Sequence, residues 1–317
     1  MAWTTADIPD LSGRTAVVTG GNGGLGLETS RALAAAGASV VMAARNQEKA
    51  ADAVADIRGD VPDAVLEVVK LDLGSLASVR EASAKILGRR GTIDILVNNA
   101  GVMGIPERRT VDGFEMQFGV DHLGHWALTG LLMPALLAAD GARIVTVTST
   151  AHHMGRTVDP SNPHLEGRYR PWRAYGQAKL ANFHFGLGLH RELRRAGTAA
   201  ASLIAHPGLS NTELQAVSVA ETEGGLSQRF FHVLARRSGM VPADGARSQL
   251  RAASDPSARS GEFYGPAFGN NGPPVRKPIL RRIGMTRAIE RLWQVSERET
   301  GVRIEVDGSP NGKGGRA

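Results

Sequence analysis

A glycine-rich stretch, Thr19-Gly20-Gly21-Asn22-Gly23-Gly24-Leu25-Gly26, joins a short apolar run at Thr15 to Thr19 to an amphipathic run at Gly24 to Ala36. No other feature narrows the fold so far. Glycines let a chain turn sharply from strand into helix and bring its backbone close to a ligand, while the free N–H groups and dipole of the helix start attract a phosphate. Two spacings fit these residues: G-x-G-x-x-G at Gly21, Gly23 and Gly26, and T-G-x-x-x-G-x-G at Thr19, Gly20, Gly24 and Gly26. The first is the general dinucleotide fingerprint. A merely tight strand-to-helix turn is the competing account.

Strand-like and helix-like patterns keep alternating after this turn: Ser39 to Ala43, Gln47 to Arg58, Val65 to Leu71, Leu76 to Leu87 and Ile93 to Val97. They continue through a long helix from about Asp112 to Ala138, a strand at Arg143 to Thr148, a second long helix from about Arg173 to Ala196, and a strand at Ala199 to Ile204. Short apolar strands alternating with amphipathic helices predict an α/β, single-domain, doubly wound parallel sheet (Rossmann-like) with helices on both faces. Gly37 and Gly197 each close a helical run, as C-caps do. Gly155 to Pro171, Gly208 to Gly225 and Gly261 to Pro278 read as irregular and are expected on one rim, at the carboxyl ends of the strands. The domain is expected over 1–270, with 271–307 an extension packing near the substrate mouth and 308–317 a disordered tail.

The chain of 317 residues, 42% apolar, can bury a sizeable core. Without cysteine it has no disulfides, thiolate metal sites or cysteine nucleophiles. Met1 to Ser12 carries neither a basic nor an apolar segment, and Trp126 to Ala139, broken by Pro134, is too short to span a bilayer. A cytoplasmic protein is expected. The net charge of +6 comes from scattered basic residues with few aromatic neighbours, which argues against nucleic acid as a partner. His122, His125, His152 and His153 lack a carboxylate-rich, correctly spaced ligand set, so packing or loop surface is expected of them and no metal site.

Chemistry is concentrated at two places. In Tyr175-Gly176-Gln177-Ala178-Lys179 the phenol and the ammonium lie one helical turn apart, on one face, where the positive charge can lower the phenol pKa and make it a usable acid or base. At the end of the second strand, Met42-Ala43-Ala44-Arg45 offers no carboxylate for a ribose 2′-hydroxyl and an arginine comes next, which favours a 2′-phosphate and hence NADP. Asp72 and Leu73 follow the third strand, where Asp72 either contacts the adenine or caps the next helix. Asn98-Asn99-Ala100-Gly101 closes the fourth strand with small and amide side chains that admit a cofactor close to the backbone.

With its second glycine spacing and these residues in this order, the chain resembles the short-chain dehydrogenase/reductases over roughly residues 10 to 270. Its narrower resemblance is to the retinol-dehydrogenase-like branch. That rests on His122-Leu123-Gly124-His125, the run from Arg168 to Asn182, and His206-Pro207-Gly208-Leu209-Ser210-Asn211-Thr212. The resemblance implies Tyr175 as acid/base, Lys179 as its pKa-lowering partner and ribose ligand, and Ser149 as hydrogen-bond donor to the substrate oxygen. It implies a cofactor bed of Gly20, Asn22, Gly24, Leu25, Gly26, Arg45, Asp72, Leu73, Asn99, Ala100 and Gly101, with Pro207, Gly208 and Thr212 at the nicotinamide end. Ser149 and Tyr175 stand 26 positions apart, about twice the usual separation, and the excess is the 155–171 loop that this branch shares.

One position departs from the pattern. Asp121 stands where the family carries a catalytic asparagine, whose backbone carbonyl holds a water linking the lysine to solvent and whose amide pins the helix. A backbone role predicts that Asp121→Asn leaves turnover equal or higher; a carboxylate that supports Lys179 predicts a loss. The function implied is NADP(H)-dependent interconversion of a carbonyl and an alcohol, with a catalytically weak NADP-binding sensor or scaffold as the alternative. Met154, Phe230, Phe231, Met240, Phe263, Tyr264 and Phe268 suggest a lipophilic small-molecule substrate, or else form ordinary core. Leu226 to Arg237 reads as a mobile lid in preference to a membrane-attachment stripe.

Overall fold

Runs of small and β-branched residues form β1 (Thr15–Thr19), β2 (Ser39–Ala44), β3 (Leu66–Lys70), β4 (Ile95–Asn98), β5 (Arg143–Val147) and β6 (Ala201–Ala205). The computed structural model describes residues 2–209, 240–280 and 283–307. With β7 (Phe263–Pro266) and β8 (Pro274–Lys277), the strands make one sheet in the order β3-β2-β1-β4-β5-β6-β7-β8, parallel except for the antiparallel β7/β8 pair. The first six strands and their connecting helices, except the one between β4 and β5, follow the sequence reading closely.

Both faces of the sheet are covered. Successive residues of a strand point to opposite faces, so Val17 and Val41 enter one core while Ala16, Val18, Val40 and Met42 enter the other. α1 (Gly24–Ala35), α2 (Gln47–Asp60) and α7 (Pro242–Ser254) supply Leu33, Ile57 and Leu250 to the second core. The first is filled from α3 (Leu76–Leu87), α5 (Gly124–Ala138), α6 (Pro171–Arg195) and α8 (Met285–Thr300) by Ile86, Leu128, Phe185 and Leu292. The strand order reverses between β1 and β4, which opens a crevice at their carboxyl ends. Gly37 and Gly197 adopt the left-handed conformation expected of helix caps, with φ of +91° and +67°.

Two expectations change. The long helix read from Asp112 begins instead with a short turn, α4 (Met116–Phe118), followed by a π-helical segment, Gly119–Leu123, before α5. Asp112 is drawn elsewhere, accepting from the Leu76 N–H at 2.8 Å, and Glu115 takes over as cap by accepting from the Gln117 and Phe118 N–H groups. The stretch Gly261 to Pro278, read as irregular, contains the β7/β8 hairpin. Its prolines hide the pattern; Pro274 is tolerated as the first residue of β8, an edge strand, and Pro266 is the last residue of β7.

Candidate active site

The glycine turn is built by contacts only glycine allows. Gly20 and Gly24 have φ of +67° and +50°, and a Cβ on Gly26 would lie 2.1 Å from the Gly20 carbonyl oxygen. The Thr19 hydroxyl accepts from the Asn99 and Ala100 N–H groups at 2.9 and 3.0 Å, and the Asn99 amide donates to the Thr19 carbonyl at 2.8 Å. These bonds staple the end of β4 to the turn. Next to them a cavity of about 380 Å³ is lined by Gly20, Asn22, Arg45, Asp72, Leu73, Ala100 and Gly101, all singled out in the sequence. Gly24, Leu25, Gly26 and Asn99 do not line it; Gly26 and Asn99 shape the turn itself.

Asn46 and Lys49, which the sequence reading passed over, also line this cavity. The Asn46 side chain caps α2 by accepting from the Lys49 N–H at 2.9 Å, so an Asn-x-x-Lys spacing directly after Arg45 was the available signal. Arg45 forms no ion pair among the described residues. Asp72 does not cap α3. Ser75 does, accepting from the Ser78 N–H, while Asp72 Oδ1 accepts from the Gly74 N–H at 2.9 Å.

The second group of residues converges on the carboxyl end of β5. Thr148 donates its hydroxyl proton to the Lys179 carbonyl at 2.7 Å, and the Asn182 amide donates to the Val147 carbonyl at 3.1 Å. Both bonds lock α6 against the strand end that delivers Ser149. A Cβ on Gly155 would meet the Gly176 carbonyl at 2.2 Å, so this glycine lets the loop after Ser149 lie against α6 beside Tyr175. The Ser149 side chain stands near enough to the Tyr175 phenol to lower its pKa, and Lys179 Nζ lies 5.4 Å from the centre of the Tyr175 ring. All three groups therefore meet.

Asp121 joins them through its side chain. Its Oδ2 lies 2.9 Å from Lys179 Nζ, with the carboxylate fully buried, and its Oδ1 accepts from the Val102 N–H at 2.7 Å. The backbone carbonyl, to which the resemblance assigned the work at this position, accepts from His125 Nδ1 at 2.9 Å. A carbonyl can only accept, so that nitrogen carries the proton and His125 Nε2 accepts from the Thr19 hydroxyl, 2.9 Å away. This neutral histidine, which burial pushes down to about 4, ties the Tyr175 cluster to the glycine turn.

Electrostatics alter the expectation for the phenol. Burial raises the Tyr175 pKa, the Lys179 ammonium pulls it down, Asp121 pushes it up again, Ser149 lowers it, and the net direction is up. Lys179 alone was expected to lower it. For Lys179, burial disfavours the charge, but Asp121 and Tyr175 outweigh that and hold the pKa above the ordinary lysine value. Burial raises the Asp121 carboxyl against the pull of Lys179 and the Val102 N–H.

The remaining sequence-selected residues are dispersed. Pro207 and Gly208 follow β6, where Gly208 has a φ of +73° and a Cβ on it would meet the Asn270 carbonyl at 2.3 Å. Thr212, Phe230, Phe231 and the stripe from Leu226 to Arg237 lie outside the described residues, as does 308–317. Tyr264 is core, while Met154 and Phe268 are exposed. Phe263 packs on Phe183 and borders a separate cavity of about 350 Å³, lined also by His152, Leu280 and Met285 but by neither Ser149 nor Tyr175. His122 Nε2 bonds the Ser296 hydroxyl at 2.7 Å and His152 stacks on Phe183, so both serve packing. Gln249 of α7 was not foreseen: its amide donates to Thr29 and Asn99, bracing the glycine turn from a helix without a recognisable motif.

A family description, short chain dehydrogenase, matches residues 14–223. The chain belongs to the short-chain dehydrogenases. Within this oxidoreductase family it lies in the retinol-dehydrogenase-like branch. It is 35% identical to human retinol dehydrogenase 12 over 297 residues, which cover 93% of this chain and 89% of that one. It is 43% identical to human retinol dehydrogenase 13 over 205 residues, 64% of this chain but only 61% of that relative. An uncharacterized protein of Mycobacterium paratuberculosis superposes with a TM-score of 0.77 at 37% identity, over 96% of this chain and 100% of that one. A short chain dehydrogenase of Shigella flexneri complexed with NADP shares the fold, with a TM-score of 0.62 at 21% identity over 81% of this chain and 98% of its own. No helix among the described residues is long and apolar enough to cross a membrane.

Proposed function

We propose that this short-chain dehydrogenase is an NADP(H)-dependent oxidoreductase that interconverts a carbonyl and an alcohol on a lipophilic substrate, with Tyr175 as acid/base. One observation carries the reading: a serine hydroxyl close to a phenol beside a buried ammonium, at the mouth of a crevice whose neighbouring cavity is framed by a glycine turn. The residues fit the cofactor. Gly26 leaves the turn no room for a side chain, and the exposed Arg45 shares the cavity with Lys49, where a planar guanidinium and an ammonium suit a 2′-phosphate. When bound, the reduced nicotinamide supplies hydride to the carbonyl carbon.

The protein's part is to hold and polarise. Ser149 and Tyr175 both hydrogen-bond the substrate oxygen, stabilising the charge that grows on it, and Tyr175 gives that oxygen its proton. Oxidation reverses these moves. Preference for NADP is supported by the absence of a carboxylate at the end of β2 and by the NADP held in the Shigella relative. A lipophilic substrate is supported by relatives named for retinol.

The test is NADPH oxidation by the purified chain against aldehydes and ketones graded in length and ring number. Turnover should rise with lipophilicity and exceed that with NADH. NADPH binding without oxidation anywhere in the panel would overturn the reading in favour of a sensor.

A further inference from the structure

The buried contact between Asp121 and Lys179 is a second device in this site. Lys179 faces two groups from two directions: the Tyr175 ring on its own helix, at 5.4 Å, and the Asp121 carboxylate from the π-helical segment, at 2.9 Å. The Asp121 side chain is wholly buried and that of Lys179 nearly so, leaving little solvent to screen the pair. A lone ammonium at this distance would stabilise a phenolate. An ammonium already paired with a carboxylate presents the phenol with a dipole of nearly zero net charge, and its effect on the phenol largely cancels.

We propose that Asp121 is a positioning residue that holds the Lys179 ammonium as a buried ion pair and so keeps the Tyr175 phenol protonated, setting the site to donate a proton in carbonyl reduction. The inference rests on the acid/base reading of Tyr175. In the favoured direction the carbonyl carbon gains hydride from the reduced cofactor, the carbonyl π pair moves to oxygen, and that oxygen takes the Tyr175 proton. The phenolate left behind is reprotonated from solvent. Because an uncompensated ammonium is absent, that phenolate is short-lived and the resting state is the acid.

The local geometry favours this role over simple shape filling. Asp121 Oδ1 is fixed by the Val102 N–H, its backbone carbonyl by His125, and a Cβ on Gly101 would approach Oδ1 to 3.0 Å. The carboxylate is therefore clamped with Oδ2 aimed at Lys179. Among the described residues few other groups act on this cluster. Ser149 lowers the phenol pKa from the β5 side, His125 of α5 is neutral, and Glu115, at the start of α4, feels the Asp121 charge and is pushed up to about 7. Glu115 thus titrates well below the phenol and can be silenced as Glu115→Gln.

The experiment compares wild type with Asp121→Asn, which keeps the shape and removes the charge. Tyrosine labelled at the phenol carbon is read by NMR; the chain has only three, Tyr169, Tyr175 and Tyr264, and Tyr175→Phe assigns the signal. In wild type the Tyr175 signal should remain that of the phenol beyond pH 10. In Asp121→Asn it should titrate lower by about one unit or more, and the alkaline limb of kcat for reduction should move down with it. Equal titration in both folded proteins would overturn the proposal. Should Asp121→Asn fail to fold, a wild-type Tyr175 signal that titrates below pH 10 overturns it alone. If Tyr175→Phe keeps full turnover, the acid/base reading itself falls, whereas a dead Tyr175→Phe with unmoved Asp121→Asn titration removes only the role of Asp121.

Discussion

The two ends of the site are built on opposite principles. The glycine turn is continuous in sequence, from Thr19 to Gly26, and is shaped by backbone geometry and neutral hydrogen bonds. The cluster around Tyr175 gathers Asp121, Ser149, Tyr175 and Lys179 from three separate parts of the chain and is governed by charges removed from water. The first should therefore respond to added volume and little to pH. The second should tolerate isosteric change in shape and respond to any change in charge.

The largest expected effect separates the two ends outright. Tyr175→Phe should lower kcat by at least about a hundredfold, the usual scale of a lost general acid, while NADPH affinity changes by less than about threefold. Stopped-flow turnover and fluorescence titration measure the pair; near-normal turnover would break the comparison at its catalytic side. Gly26→Ala should do the reverse. Its Cβ would collide with the Gly20 carbonyl, so NADPH affinity should fall more than about tenfold, or ~1.4 kcal/mol, together with the melting temperature.

A smaller effect sharpens the cofactor side. Arg45→Asp places a negative charge beside the cavity, and the preference for NADPH over NADH should fall by about tenfold or invert. Equal affinity of the wild type for both cofactors would remove the 2′-phosphate from the account.

The smallest effect tests charge burial just outside the cluster. Burial is the main reason the Glu115 carboxyl is pushed up to about 7, against the lowering effect of the Gln117 and Phe118 N–H groups. Its folded pKa lies above the unfolded 4.5, so its contribution to stability is complete below pH 4.5 and is lost as pH rises through 7. Melting temperature should fall between those values in wild type and fall less in Glu115→Gln. Parallel curves would show that this carboxyl is not a source of pH dependence.

Much of this was legible beforehand because it is local. β1 and α3 appear at the residues their patterns indicated, and Tyr175 and Lys179 share a face because a helix repeats about every four residues. The stripe Met285, Ile289, Leu292, Val295 in α8 has the same period, but the helix was not read from the sequence, where 271–307 stood only as an extension; its place in the core depends on meeting α5 and α6, where Trp293 packs on Trp126 and Phe185. The π-helical segment and the edge hairpin were not legible. Their cause is competition from distant partners, such as Leu76 for Asp112, and the placing of prolines on a sheet edge.

The sequence by itself determined the doubly wound sheet and the glycine turn, since these follow from periodicity and from the steric freedom of glycine. Only the tertiary structure decided what Asp121 contacts. Its partner stands far along the chain, and whether a carboxylate there faces water, a backbone amide or an ammonium depends on how α5 and α6 pack across the end of β5. Burial then sets the strength of that contact, because the same two charges exposed to solvent would scarcely influence the phenol beside them.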